Sequence, residues 1–411
     1  MTKSALFPLY TVSLAQFLTM LIWFNFSAVF PLLQEEWKLT SFQGGIILAS
    51  FQLGYVVSVF VFGFLSDRIR PKYIFIFASV FAGISGLAFA LFAEGFSSAL
   101  LFRTLAGISL GGVYVPGMKY LTSIYPPESR GKVFGTYVGA LVLGSGSSLL
   151  VVSQLIAFYS WREVIVLTSI GAFIGAFLMI VSRSRETQTL RSEMPLLKSM
   201  KKVLVDKNLN AVHFAYVGHM WELYAFWGWI GPFMIFTAQN SGFSYEEAQR
   251  FGNFFAGLFI VVGAFGTWFA GKLSDRWGRF PIVKMLLSTS LICSLLFGWL
   301  SALPFAFIVI VGLIYGVTVV GDSPIFSAAA SEISDQETVG IVLAVQQVLG
   351  YSITVVSPAV FGVVLHSIPN TYVAWGIAFA MLSLGPLMSL FIVQRSFVSS
   401  VSKAGKGVLS K

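Results

Sequence analysis

Gly63-Phe64-Leu65-Ser66-Asp67-Arg68 returns as Gly271-Lys272-Leu273-Ser274-Asp275-Arg276, at an offset of 208 residues. Each copy closes an apolar run of more than twenty residues. A second set of positions, Gly107, Gly112 and Gly131, matches Gly316, Gly321 and Gly340 at an offset of 209. Two features that recur at nearly one offset point to a duplicated unit. The question is then what kind of unit ends in an apolar run followed by Ser-Asp-Arg.

Composition answers it. Of the 411 residues, 56% are hydrophobic and only 10% are charged, against roughly 25% charged in a soluble domain. The mean hydropathy is +0.83, and Phe alone contributes 41 residues. A soluble enzyme or a disordered chain is excluded. The single Cys293 excludes a disulfide scaffold. Strands of a membrane barrel alternate over about ten residues, which these long runs do not.

A spanning helix needs about 20 apolar residues. The runs predict twelve spans, near 8–30, 43–65, 73–94, 98–122, 133–157, 163–182, 210–238, 248–271, 281–302, 305–330, 339–365 and 371–394. The expected fold is an all-α membrane protein of twelve transmembrane helices in two pseudo-symmetric six-helix halves. The halves are 1–182 and 210–394, joined by a polar loop, 183–209, and followed by a tail, 395–411. The first run has only Lys3 before it and no small-residue cleavage site after it, so it reads as a permanent helix and not as a signal peptide.

Basic residues orient the chain. With both termini in the cytoplasm, 21 of the 26 Lys and Arg fall on the cytoplasmic side, seven of them in the central loop. Only Lys38, Arg162 and Arg250 fall outside, and Arg103 and Lys119 lie within a span. The net charge of +9 is thus a topology signal of a protein in the inner (cytoplasmic) membrane, not a sign of nucleic-acid binding.

Gly271 to Arg279 resembles the signature loop of the major facilitator superfamily: Gly, an Asp, Arg, any residue, Gly, then Arg or Lys. The first copy keeps Gly63, Asp67 and Arg68 but has Arg70 and Pro71 where Gly and Arg are expected. The resemblance extends over the whole chain and implies a secondary transporter, a substrate site near the midplane between the halves, and a monomer. In the loops Gly63 and Gly271 allow helices to approach closely. Asp67 with Arg68, and Asp275 with Arg276 and Arg279, are candidate gating pairs; the competing reading is a positive-inside turn.

Charge inside the membrane is costly and normally faces a partner or water, so the few intramembrane polar residues carry the functional reading. Arg103, Gly107 and Gly111 share a face of span 4 and resemble the family's span-4 motif, which implies proton transfer or structural support for it. The alternative is an interfacial Arg that snorkels outward. Lys119 lies about 24 Å further along that helix, as an anion contact or an interfacial Lys. Tyr114, Pro116 and Gly117 between them predict an irregular backbone lining a cavity. In span 7, Glu222 falls near mid-membrane with His219 one turn before it on the same face. Low dielectric makes a carboxylate hold its proton more tightly, which suits proton coupling; a Glu–His structural pair is the other reading. Trp221, Tyr224, Trp227 and Trp229 accompany it and resemble a substrate cage, with an outer aromatic belt as the other reading of Trp227 and Trp229. Asp322, between Gly321 and Pro324, is expected at a distorted point of span 10, as a functional acid or an interhelical tie. Trp23, Asn25, Gln346 and Gln347 complete the candidate cavity lining. His213 and His366 fall near span ends, as interfacial residues.

Span 5 keeps glycines but lacks the Gly-Pro of the family's drug antiporters, and span 2 lacks the Arg of its nitrate porters. No catalytic constellation, P-loop, metal-ligand set or cofactor motif is present, so transport draws on a gradient. The expected function is proton-coupled uptake of a small organic, anionic metabolite by alternating access. The substrate, protons and lipid are the expected partners. Proton-antiport efflux and a non-transporting membrane sensor or scaffold are the alternatives.

Overall fold

The computed structural model describes residues 3–66, 69–125, 130–182, 203–333 and 339–395. All regular structure among these is helical. There are twelve spans. α1 consists of two helices, Lys3–Met20 and Asn25–Glu36. Then come α2 (Ser41–Leu65), α3 (Pro71–Phe92), α4 (Phe96–Ile124), α5 (Arg130–Leu155), α6 (Trp161–Val181), α7 (Lys207–Asn240) and α8 (Tyr245–Trp277). α9 (Arg279–Phe297) runs on into a 3₁₀ turn. α10 consists of Phe305–Gly321 and Ser323–Ile333, and α11 is Val339–Ser367. α12 is Thr371–Arg395. Eleven of these twelve spans pass on length and hydropathy alone. α7 does not, although it has 34 residues, because Trp, Tyr, His and Glu dilute its apolar run.

Local chemistry sets several helix starts. α6 and α8 begin on capping boxes, Ser160 with Glu163 and Ser244 with Glu247. α7 begins on Asp206, whose carboxylate accepts from Asn208 N and Leu209 N at 2.8 and 3.0 Å.

Two expectations about helix continuity are corrected. α1 is interrupted at residues 21–24, within an apolar run that predicts a single helix. α4 is continuous through Pro116 and Gly117, where an irregular backbone is expected. The Tyr137 hydroxyl donates to Val113 O at 3.1 Å, satisfying a carbonyl in the turn that the proline ring loosens.

The halves meet along two seams, α2 on α11 and α5 on α8. Glycine makes both possible. A Cβ on Gly45 would stand 2.9 Å from Pro358 O and 3.1 Å from Gly362 Cα. One on Gly257 would stand 2.8 Å from Gly146 O. Further ties join α1 to the second half: Ser27 Oγ donates to Gly228 O, Asn253 Nδ2 to Ala28 O at 2.9 Å, and Tyr245 OH to Glu35 Oε2 at 3.1 Å. These ties lie between the midplane and the face opposite the termini.

Candidate functional site

The intramembrane charges separate into two groups, one in each half. In the second half, His219 Nδ1 on α7 lies 2.8 Å from Asp322 Oδ1, with both side chains almost wholly buried. Asp322 occupies the break between the two helices of α10. His219 stacks near Tyr216 and Phe326, with ring centres 5.4 and 6.3 Å away, and its Nε2 has no partner. One turn along α7, Glu222 accepts from Ser290 Oγ and Tyr315 OH, each at 2.9 Å. His219 and Glu222 therefore share a helix but serve different partners. α7 and α10 run in opposite directions, so His219 meets Asp322 while Glu222 meets Tyr315, two turns earlier on α10.

In the first half, Arg103 is 3% exposed, so it does not snorkel. Its Nη1 donates to Ile22 O at 3.2 Å and Asn25 Oδ1 at 3.3 Å, and its Nη2 to Trp23 O at 2.9 Å. The guanidinium lies over Phe51, 4.3 Å from the ring centre. Among the described residues no carboxylate pairs with it. Gly107 and Gly111, on the same face of α4, let the backbone of α2 approach at Phe51 and Val59. That face is a packing seam as well as a charge carrier.

At the midplane, aromatic rings from both halves meet. Trp23 lies 4.9 Å from Tyr55 and 6.2 Å from Tyr224 between ring centres. Tyr351 lies 5.1 Å from Tyr55 and 5.5 Å from Tyr224, and the Tyr224 hydroxyl donates to that of Tyr351 at 3.2 Å. Trp227 packs on Tyr224 at 5.5 Å. Trp23 Nε1, Trp227 Nε1 and the Gln346 amide are buried without a hydrogen-bond partner among the described residues. Buried polar groups are normally satisfied, which makes these the candidate ligand contacts of the site.

The other expected residues are placed as follows. Trp227 and Trp229 are buried between helices, which corrects the outer-belt reading. Trp229 Nε1 donates to Pro358 O at 3.0 Å. Trp221 turns to α12, donating to Met381 O at 3.4 Å. Asn25 Nδ2 donates to Thr168 Oγ1 at 3.1 Å. Gln347 pairs with Tyr216 OH, 3.3 Å from its Nε2. Tyr114 stacks on Tyr137; Tyr114, Lys119 and Gln347 are half-buried on the termini side of the rings. His213 is fully buried, not interfacial, whereas His366 is exposed and packs on Phe42. Of the loop residues, Gly63 lies in the last turn of α2 and Gly271 lies in α8. Arg276 is exposed, and Arg279 bonds Glu332 Oε1 at 2.8 Å and Ser274 Oγ at 2.6 Å. Asp67, Arg68 and the Asp275 side chain lie outside the described residues.

Sequence reasoning missed Tyr55, Ser290, Tyr315 and Tyr351. Tyr315 carried a signal, since it lies seven residues before Asp322 on one helix face. The others are ordinary residues of apolar spans.

The chain is 26% identical over 357 residues to the hexuronate transporter of Bacillus subtilis (strain 168), covering 82% of each. It is 27% identical over 272 residues to the inner membrane transport protein YnfM of Escherichia coli (strain K12), covering 64% of this chain and 61% of that one. In structure it resembles a bacterial homologue of the human lysosomal transporter Spinster, solved inward-facing and occupied. The TM-score is 0.75 at 15% identity, over 95% of this chain and 96% of that one. The model of the Major Facilitator Superfamily matches residues 12–358. With the family model matched over most of its length and twelve spans in two six-helix halves, this chain belongs to the major facilitator superfamily of transporters.

Proposed function

We propose that the protein imports a small organic anion together with protons by alternating access. In this reading it is a monomer in the cytoplasmic membrane, with both termini and the 183–209 loop in the cytoplasm. The observation that carries the proposal is the His219–Asp322 pair, buried at the break of α10. Asp322 can hold a proton or an imidazolium partner, but low dielectric penalises leaving it charged and alone. A proton arriving on Asp322 therefore loosens the tie between α7 and α10 at the point where α10 is already discontinuous. Proton release restores the tie. Glu222 on α7, held by two hydroxyl donors, is a second proton-holding group of the same half.

The ties on the far side of the midplane, among them Ser27 with Gly228 and Asn253 with Ala28, support an inward-facing state. The two halves then rock about the aromatic rings. An anionic substrate is supported by the free indole N–H groups of Trp23 and Trp227 and by the hexuronate named for one relative. Co-transport of a proton with a monovalent anion moves no net charge. The absence of proline from α5 favours import over drug efflux.

The test is uptake into proteoliposomes, with labelled galacturonate as the first probe and other small acids after it. An inward proton gradient should drive accumulation in the wild type. Asp322→Asn should abolish gradient-driven accumulation while keeping substrate exchange at equal concentrations. Full gradient-driven accumulation by Asp322→Asn overturns the coupling role.

A further inference from the structure

We propose that Arg103 is a positioning residue, which holds the unwound turn of α1 so that Trp23 forms a wall of the midplane site. The inference rests on the reading of that site as the transport site, and it assigns Arg103 neither a proton nor a substrate.

The backbone of α1 shows what the arginine does. At the end of the first helix, Leu21 N, Ile22 N and Trp23 N donate to Leu18 O, Thr19 O and Met20 O, three residues back. The ladder resumes with Ala28 N on Phe24 O. The carbonyls of Leu21, Ile22 and Trp23 are left without helical donors. All three are taken by side chains from other helices: Leu21 O by Ser148 Oγ at 2.6 Å, Ile22 O by Arg103 Nη1 and Trp23 O by Arg103 Nη2. A buried carbonyl without a partner is costly, so the interruption exists because these donors exist.

Charge fits the same account. The first helix of α1 presents the negative end of its dipole to the break, and a cation there is favourable. Asn25 Oδ1 and the face of Phe51 complete the surroundings of the guanidinium. Backbone carbonyls do not titrate in the working range, and no carboxylate is within reach among the described residues. A proton relay through Arg103 has nothing to pass a proton to.

The turn so held bears Trp23. Its carbonyl is on Arg103, and its indole lies against Phe51, Tyr55 and Tyr224 with Nε1 free. Arg103 thus acts on the site through one residue. Lysine cannot replace it, because a single ammonium does not span the points that the guanidinium fork reaches.

Two measurements test this. In the transport assay, Arg103→Lys should raise KM about tenfold while changing kcat less than about threefold, and its pH profile should superimpose on that of the wild type. Ser148→Ala, which frees Leu21 O without touching charge, should raise KM in the same direction by less, and it carries the test if Arg103→Lys fails to fold. The second measurement needs no substrate: the change in tryptophan emission caused by Arg103→Lys should vanish in a Trp23→Phe background. A shifted pH profile, an unchanged KM in both variants, or an emission change that survives Trp23→Phe overturns the proposal. If no acid is transported by the wild type, the transport reading fails, and the emission result still decides the positioning role.

Discussion

The two halves bury charge in opposite ways. In the first, Arg103 is held by two backbone carbonyls and one amide oxygen, none of which can change protonation. In the second, Asp322 is held by an imidazole and Glu222 by two hydroxyls, and a proton can dissolve the first of these ties. One fold thus contains a polar clamp built on acceptors that do not ionise and, in the proposed function, a polar cluster that exchanges protons. Duplication did not copy this chemistry: Asp322 corresponds to Val113, and no glutamate stands 208 residues before Glu222. In the proposed function the first half shapes the site while the second half couples it to protons.

The most direct way to break this division is to remove charge from the responsive half. Glu222→Gln keeps size and one acceptor but cannot ionise. It is expected to lower proton-driven accumulation by about a hundredfold, the scale of a positioned acid–base group, and to flatten the pH dependence of uptake. A Glu222→Gln protein with normal pH-dependent uptake would leave coupling to Asp322 and His219 alone.

The seams test whether the halves move as units. Gly45→Leu must fit a side chain where Pro358 O and Gly362 Cα already stand, an overpacking of about 1–3 kcal/mol in the far-side-closed state. In a Cys293→Ser background with Ala28→Cys, maleimide labelling from the far face should rise several-fold. Gly139→Leu, where nothing stands within 4 Å of an added Cβ, is the control and should change nothing. Equal labelling in both would mean that the seam does not report opening.

Much of this was legible in the sequence, for a physical reason. Charge in lipid is so costly that Arg103, His219, Glu222 and Asp322 stand out against apolar spans, and Gly321 with Pro324 marked the α10 break. Their pairing was not legible, because neighbours on one helix face need not bond each other: His219 and Glu222 look across to α10 and α9. The α1 interruption was invisible. Leu21-Ile22-Trp23-Phe24 contains neither Gly nor Pro, and its cause is an arginine about eighty positions away. Pro116 misled in the reverse sense, since α4 absorbs it.

The smallest expected effect concerns the loops with which the duplication announces itself. In the second half Arg279 ties the start of α9 to Glu332 at the end of α10. In the first half the matching positions are Pro71, at the offset of 208, and Ser123, at the offset of 209, so this ion pair cannot form. Both partners are substantially exposed, with side chains 30% and 56% accessible, and an exposed pair contributes about 0–1 kcal/mol and less in salt. Arg279→Gln should therefore lower the thermal midpoint of the purified protein slightly, an effect that 0.5 M salt reduces, and should change uptake by less than about twofold. A tenfold loss of uptake at an unaltered thermal midpoint would give the loop a switching role that only the second half can perform. The asymmetry between the halves would then extend from the midplane to the membrane surface.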